Sequence, residues 1–206
     1  LGNLAPEGFP EYFDLAFLDE LKSLDEKPDN KLIVEMRQQS RNIFDKVFPA
    51  LESLFPNYEI FSTEEDIYEP IKELKFTRYL KGFIDLVVKT PDGKYHIIDW
   101  KSCSWGWDMK RKSEPMTTYQ LTLYKKFFCE KHNVDPEKVE TYFGLLKRTA
   151  KADNVEIFRV TSGPRKTTNA LKVLTNACNL INKGITIKNR NSCARCPFNN
   201  TEHCKR

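Results

Sequence analysis

The sequence predicts an α/β domain in which helices flank a mixed central β-sheet. The chain has 206 residues, of which 40% are hydrophobic and 30% are charged, so it is long and apolar enough to bury its own core. Three strand-like segments follow one another in the middle of the chain, and a helix then separates them from two further strands. A helix between two strands indicates a parallel crossover, whereas a tight turn joins antiparallel strands, so both kinds of pairing are expected.

Two helices open the predicted order of elements. Residues 11–24 carry apolar side chains at helical spacing, and Pro28 interrupts the pattern. A longer helix is predicted from Lys31 to Leu54, because its apolar residues form one broad stripe. We expect residues 1–30 to form a helical segment that precedes the main domain.

The remaining elements are delimited by turn residues. Strands are predicted at 58–67, 74–89, 95–101, 139–147 and 154–160, with helices at 116–131 and 166–182. The second and third strands are joined by residues 90–94, in which Pro91 presets φ and Gly93 permits a positive φ. Gly184 is a suitable C-cap for the last helix.

Charge and composition narrow the class of function. The net charge of +4 is too small to imply nucleic-acid binding by itself, but Lys and Arg dominate after Lys101 while the first third is acidic. No stretch approaches the roughly 18 apolar residues of a membrane-spanning helix, so no membrane association is expected. The first residues lack the pattern of a secretory signal, and we therefore expect a cytoplasmic protein with reduced cysteines.

A pair of carboxylates is the most informative feature of the sequence. If the hairpin closes with Thr90 opposite Lys94, then Asp85 lies opposite Asp99, and directly opposed like charges repel. Lys101 lies on the same strand face as Asp99, and a divalent ion held by oxygen atoms would supply further positive charge. Such an ion polarises a phosphoryl oxygen and generates hydroxide, while the lysine orients the water or stabilises the developing charge. The pattern predicts phosphodiester cleavage.

Three motifs in this region resemble one nuclease family. They are Gly82-x-x-Asp85, Asp99-Trp100-Lys101 and, on the following helix, Gln120-x-x-x-Tyr124. In this order they are similar to the motifs of PD-(D/E)xK nucleases, specifically of the RecB-like branch. The resemblance implies a restriction-endonuclease-like αβββαβ core within residues 31–184.

The same resemblance implies roles for the motif residues. Asp85, Asp99 and the main-chain carbonyl of Trp100 would bind Mg²⁺ or Mn²⁺, and Lys101 would be catalytic. Gln120 and Tyr124 would support this site or contact DNA. Many RecB-like nucleases add a histidine from the first core helix, where this chain has none; Glu35 or Gln38 could replace it, and Glu64 or Glu65 is another candidate carboxylate.

The implied activity is that of a metal-dependent DNA nuclease, an exonuclease in DNA processing or recombination. Its substrate would be single-stranded DNA or duplex ends, with a helicase or a recombination protein as partner. The alternatives are an endonuclease or spacer-trimming nuclease, and a non-catalytic nucleic-acid-binding subunit. The sequence leaves the oligomeric state open.

Residues 185–206 contain a cysteine triplet formed by Cys193, Cys196 and Cys204. The triplet resembles the C-terminal cysteines of iron–sulfur RecB-like nucleases, including the AddB-type and CRISPR-adaptation nucleases, and so implies a [4Fe–4S] cluster. The fourth ligand would be Cys103, Cys129 or Cys178. Zn²⁺ bound by the triplet and His203 is the alternative, and free thiols are the third interpretation.

The segment after Lys101 combines aromatic and basic residues: Trp105, Trp107, Lys110, Arg111 and Lys112. Beside a nuclease site, the two indoles could stack on bases and the three cations could hold phosphates of a single strand. The alternative is that the tryptophans pack against the sheet.

Overall fold

The computed structural model describes residues 9–26, 28–187 and 190–204. Within these residues it contains helices α1 (Phe9–Ser23), α2 (Asn30–Leu54), α3 (Met109–Ser113), α4 (Pro115–His132) and α5 (Pro164–Asn182), and strands β1 (Glu59–Pro70), β2 (Tyr79–Lys89), β3 (Tyr95–Cys103), β4 (Val139–Lys147) and β5 (Val155–Val160). The order agrees with the predicted one, except that the short α3 forms in a stretch expected to be irregular.

The sheet follows the sequence order β1-β2-β3-β4-β5. The pairs β1–β2, β2–β3 and β4–β5 are antiparallel, whereas β3 and β4 are parallel and are connected through α4. The prediction of a mixed sheet flanked by helices is therefore confirmed. The division of the chain at residues 30 and 184 stays a prediction; in the structure α1 packs against α2, where the rings of Phe13 and Phe44 lie 5.1 Å apart.

Each face of the sheet buries one cluster of apolar side chains. On one face, α4 packs Leu121, Phe127 and Phe128 against the sheet. On the other face, α2 contributes Leu51, which packs with Phe55 just beyond the helix end. Because side chains alternate along a strand, each residue of β3 faces either α4 or α2, and this choice decides which groups can meet at a site.

The start of β2 differs from the prediction. The strand begins at Tyr79 instead of residue 74, and residues 71–78 form a connection closed by a hydrogen bond from the Ile71 N–H to the Arg78 carbonyl. The last residue of β1 is Pro70, opposite Tyr79, and proline has no N–H with which to continue a ladder. The apolar Leu74 packs against the core from the connection, which explains why its pattern resembled a strand.

The ends of the helices that frame the sheet follow local rules. Glu114 caps α4 by accepting a hydrogen bond from the Thr117 N–H, and Pro115 occupies the first helical position, where its missing N–H costs nothing. Gly184 has a φ of 68° beyond α5, as expected for a glycine that ends a helix. No helix among the described residues combines the length and the hydrophobicity that a membrane span requires.

Candidate active site

The hairpin of β2 and β3 has the predicted register. Leu86 pairs with Ile98 and Lys89 pairs with Tyr95, which is the offset expected from a turn closed between Thr90 and Lys94. The ladder stops at Leu86, however, so Asp85 and Asp99 do not form the predicted cross-strand pair. Asp85 instead accepts a hydrogen bond from the Trp100 N–H at 2.6 Å through its Oδ2. In a continued ladder a main-chain carbonyl of β2 would accept this N–H, so the carboxylate takes the place of that carbonyl.

Asp99 is the buried centre of the site. It is 1% exposed, its Oδ2 lies 2.6 Å from the Lys101 Nζ, and its Oδ1 accepts a hydrogen bond of 3.0 Å from the Gln120 amide. Burial raises the pKa of Asp99 above its ordinary value, the Lys101 ammonium opposes this effect, and the negative charge of Asp85 adds to it. The two carboxylates are thus close enough to interact electrostatically, as the sequence indicated.

The third motif reaches the same place from α4. The Gln120 amide, which donates to Asp99, also donates to the Tyr124 hydroxyl at 3.2 Å. A Cβ at Gly82 would lie 3.0 Å from the Tyr124 Cε1, so the absence of a side chain at this position of β2 lets the tyrosine ring approach. Contacts from Gly82 through Tyr124 and Gln120 to Asp99 therefore join all three motifs.

Gly144 was not singled out from the sequence. It lies on β4 directly beside Trp100, and a Cβ at this position would be 2.2 Å from both Cε3 and Cζ3 of the indole. The indole therefore rests on bare backbone, which fixes the residue that lies between Asp99 and Lys101. A glycine inside a strand signals such a close approach, and this signal was available in the sequence.

The structure turns Glu65, one candidate for a third carboxylate, away from this site. Glu65 forms ion pairs with Lys131 at 2.7 Å and His132 at 2.8 Å. Lys131 lies near the end of α4, about 16 Å from Gln120 at a rise of roughly 1.5 Å per residue. Burial acts to raise the pKa of Glu65, but the hydrogen bonds from Lys131 and His132 prevail and hold it below its ordinary value.

Of the other candidates, Glu35 and Gln38 lie on α2, whereas the register of β1 and β2 places Glu64 opposite Asp85. Glu35 is exposed on α2, and the amide of Gln38 donates to the Asn42 side chain. Glu64 occupies the position between the pairs Thr63–Leu86 and Glu65–Ile84 of β1 and β2, with a left-handed φ of 48°.

The donors around Asp99 fit a hard divalent cation. Among the described residues, no group of three or more His, Cys, Asp or Glu side chains is placed to hold a metal ion. The candidate metal ligands are the two carboxylates, which are close enough to interact electrostatically, and the main-chain carbonyl of Trp100, the residue whose N–H hydrogen-bonds to Asp85. All of these donors are oxygen atoms, which suit Mg²⁺ or Mn²⁺, and Mg²⁺ commonly takes one or two carboxylates with substrate and water completing its shell.

The aromatic and basic segment after β3 divides into two parts. Trp105 is 71% exposed, and Lys110 and Arg111 are also exposed. In contrast, Trp107 is buried against Phe143, with ring centroids 5.2 Å apart. The Arg111 guanidinium lies over the Trp107 ring, and Lys112 forms an ion pair with Glu156. The packing interpretation holds for Trp107, and the exposed groups keep the proposed binding role.

The cysteine tail does not form a cage among the described residues. Cys193, Cys196 and Cys204 are half-buried free thiols and belong to no group placed to bind a metal. Cys103 and Cys178, two candidates for a fourth ligand, pack against the core on the α4 face, and Cys129 lies within that core. Burial raises the pKa of the Cys129 thiol to about 11, which makes it inert.

The candidate His203 has an exposed side chain, and its Nε2 lies 3.5 Å from the carboxylate of Glu202. The identity of a tail metal stays a prediction.

The fold and the cluster around Asp99 define a class of α/β proteins in which acidic residues and a lysine lie together on neighbouring strands, an arrangement suited to the hydrolysis of phosphodiester bonds. The family model of the PD-(D/E)XK nuclease superfamily matches residues 15–201, and the chain belongs to that superfamily. No curated protein sequence matches the chain.

The solved structures that are similar to it include the following two. A candidate exonuclease from Eubacterium rectale has a TM-score of 0.59 at 16% identity, with 97% of this chain and 74% of that chain covered. The protein SSO0001 has a TM-score of 0.46 at 15% identity, with 95% and 81% covered. At these identities the former shows a shared fold and nothing more.

Proposed function

We propose that this protein is a metal-dependent deoxyribonuclease of the RecB-like branch that removes nucleotides from DNA ends. The observation that carries the proposal is the continuous set of contacts from Lys101 through Asp99 and Gln120 to Tyr124 and Gly82. Three short motifs from two strands and a helix would have no structural need to converge on one buried carboxylate. Membership of the nuclease superfamily supports phosphodiester hydrolysis as the reaction.

The residues of the site divide the chemical work. Mg²⁺ or Mn²⁺ held by Asp85, Asp99 and the Trp100 carbonyl would supply a polarised phosphoryl oxygen and a hydroxide near neutral pH. The Gln120 amide keeps one oxygen of Asp99 in place, and the Trp100 N–H orients Asp85. The Lys101 side chain is 32% exposed while that of Asp99 is 2% exposed, so the ammonium reaches the substrate and stabilises the charge that develops on the phosphate.

The wider setting of the enzyme is part of the same proposal. We infer action in the cytoplasm with a helicase or a recombination protein as partner, and a [4Fe–4S] cluster held by the tail cysteines, with Zn²⁺ as the alternative. The RecB-like order of the motifs supports the exonuclease mode. Digestion that requires a free end distinguishes this mode from endonucleolytic cleavage.

The decisive experiment is a cleavage assay with end-labelled single-stranded and duplex DNA and with circular DNA, in Mg²⁺ or Mn²⁺. Asp99→Asn and Lys101→Met are expected to reduce the rate by at least about 100-fold, a loss typical of removing one group that stabilises the transition state. Lys94→Met removes an exposed lysine from the turn at the other end of the hairpin and is the matched control. Wild-type cleavage in excess EDTA, or unchanged rates in both site variants, would show the proposal to be wrong.

Asp85→Asn is a better probe of the second carboxylate than Asp85→Ala. The asparagine keeps an acceptor for the Trp100 N–H, whereas alanine leaves this N–H without its acceptor at a cost of about 1–3 kcal/mol. Loss of cleavage in the asparagine variant therefore reports on the carboxylate charge and not on a damaged strand.

A further inference from the structure

His96 is a buried histidine at the start of β3, on the face of the sheet opposite α4. It is 6% exposed, and its ring packs against Phe55 at 4.5 Å and Tyr142 at 5.7 Å between centroids. Its Nδ1 atom is buried and has no hydrogen-bond partner among the residues that the structure describes. The proposed cleavage chemistry does not involve this residue, and a buried polar atom without a partner requires an explanation.

The hydrogen bonds of the neighbouring turn define which ring nitrogen of His96 carries the proton. Its Nε2 lies 3.0 Å from the Thr90 Oγ1, and the Thr90 hydroxyl donates to the carboxylate of Asp92. A hydroxyl has one proton to donate, so the oxygen of Thr90 accepts a hydrogen bond from the Nε2–H of His96. In the neutral ring Nδ1 is therefore the unprotonated nitrogen, with its lone pair directed away from the turn.

The group that faces Nδ1 is a second acceptor, the carboxylate of Glu140 on β4. The Glu140 Oε2 lies 3.8 Å from Nδ1 and accepts a hydrogen bond of 2.6 Å from the Tyr142 hydroxyl, while Oε1 pairs with Arg159 at 2.9 Å. Burial and the charge of Glu140 raise the pKa of Tyr142, so this hydroxyl stays a donor. Two acceptors thus face each other without a hydrogen atom between them, and one proton would complete the contact.

The charges around His96 act on its ionisation in opposite directions. Burial is the largest effect and lowers the pKa of His96 below its ordinary value; Glu140 and Asp92 favour the charged ring, whereas Lys94 opposes it. The end of α2 and strand β2 present Phe55 and Val88 to the ring, and neither side chain carries a charge. The ring is therefore neutral near pH 7 and takes up a proton in mild acid.

We propose that His96 is a proton-operated link between the turn of the β2–β3 hairpin and β4. When the medium becomes acidic, Nδ1 takes a proton from solvent and donates it in a hydrogen bond to Glu140, while Nε2–H keeps its bond to Thr90. The contact is then charge-assisted and shortens from 3.8 Å to about 2.8 Å. A cavity of about 350 Å³ lined by both side chains provides room for this movement. The inference is independent of the proposed nuclease function.

The link also makes the stability of the fold depend on pH. The folded-state pKa of His96 lies below the unfolded-state value of about 6.5, so stability is complete above the unfolded-state value and is lost as the pH falls through the folded-state value. His96→Gln keeps an amide N–H for Thr90 but cannot titrate. We expect the decrease in Tm between about pH 7.5 and about pH 5.5 to be smaller in this variant than in the wild type, whatever the loss of ring packing does to Tm itself.

NMR of protein labelled with ¹⁵N-histidine tests the link directly. The chain has three histidines, and the signals that His96→Gln removes belong to His96. At neutral pH we expect Nε2 to be protonated and Nδ1 to be unprotonated, with both protonated in acid. Glu140→Gln removes the facing charge and is expected to move the titration of His96 to lower pH by about one unit or more. Glu137→Gln, which neutralises an exposed acid just before β4, is the matched control and should leave the titration unchanged.

The outcomes are distinct from those that test the nuclease. A proton on Nδ1 at neutral pH, or an unchanged titration of His96 in Glu140→Gln, would overturn the link. If added Zn²⁺ instead occupies Nδ1 at neutral pH, the site holds a metal ion and the inference is wrong. Should His96→Gln fail to fold, His132→Gln and His203→Gln assign the remaining signals to His96 by elimination. None of these results bears on cleavage of DNA, and a protein that cleaves nothing would leave the link intact.

Discussion

The substitution Gly144→Ala tests whether the packing of Trp100 positions the acidic site. In the present structure the added methyl group would lie 2.2 Å from two carbon atoms of the indole. The ring belongs to a residue whose N–H orients Asp85 and whose neighbours are Asp99 and Lys101. A shift of the ring is therefore transmitted to the main chain between the proposed catalytic groups.

The size of the effect follows from the overlap. Ordinary contact with a Cβ begins at about 3.4 Å, so the indole of Trp100 must move by more than 1 Å or the two strands must separate. Overpacking of this kind costs about 1–3 kcal/mol of folding free energy, which corresponds to a decrease in Tm of roughly 2–12 °C for a chain of this size. A displacement of about 1 Å at reacting groups lowers the rate by roughly 100-fold.

The assay separates the loss of position from the loss of folded protein. We expect kcat of Gly144→Ala to fall by about 100-fold while KM changes little, at a temperature well below its Tm. Gly163→Ala is the control, since Gly163 has an ordinary φ and no atom within 4 Å of an added Cβ. The double variant Gly144→Ala with Trp100→Leu removes the clashing ring and is expected to regain part of both Tm and kcat.

Two results would refute this reasoning. Wild-type kcat and Tm in Gly144→Ala would mean that the indole of Trp100 moves without disturbing the strand. A double variant that is no better than Gly144→Ala alone would mean that the defect does not act through the ring.

Three further predictions concern residues whose roles the structure separates. Glu65→Gln should keep full cleavage but lower Tm near neutral pH. The folded-state pKa of Glu65 is lowered, so the stabilisation from its charge is present above the ordinary Glu pKa and is lost as the pH falls through the folded-state value. The variant and the wild type should therefore melt alike in acid. Trp105→Ala should weaken single-strand binding by ~1–3 kcal/mol in a fluorescence titration, whereas Trp107→Ala should lower Tm, as expected for a buried ring; equal behaviour of the two would contradict this division. Protein purified without oxygen should be brown and contain iron, and Cys196→Ser should lose both colour and thermal stability; zinc in elemental analysis would favour the alternative metal, and metal-free protein of unchanged stability would leave free thiols.

The order of the elements and the hairpin register were predictable because local rules determine them. Pro91 and Gly93 define the turn, and the turn then fixes which residues of β2 and β3 are opposite each other. The same rules could not show that the ladder stops one pair before Asp85. That depends on whether a carboxylate or a carbonyl accepts the Trp100 N–H, which is decided by tertiary packing.

The site was less predictable where it depends on contacts between distant segments. Spacing alone could place Gln120 and Tyr124 on one helix face, but the contact of Gln120 with Asp99 requires knowledge of how α4 crosses the sheet. Glu65 was a wrong candidate because it lies near the motifs in sequence but pairs with Lys131 at the far end of α4. The sequence gives no indication of which end of α4 the side chain of Glu65 contacts.

Because β3 pairs with β4, which follows α4 in the chain, the proposed catalytic residues are synthesised before the strand that completes their site. A growing chain that ends shortly after α4 already contains both carboxylates, Lys101 and Gln120, but it lacks the strand on which Trp100 rests. Strands joined by a long crossover pair late, because the entropy of closing the connection is lost before the contacts form. An incomplete or partly folded copy is therefore expected to be inactive, so the proposed nuclease would act only after its sheet has closed.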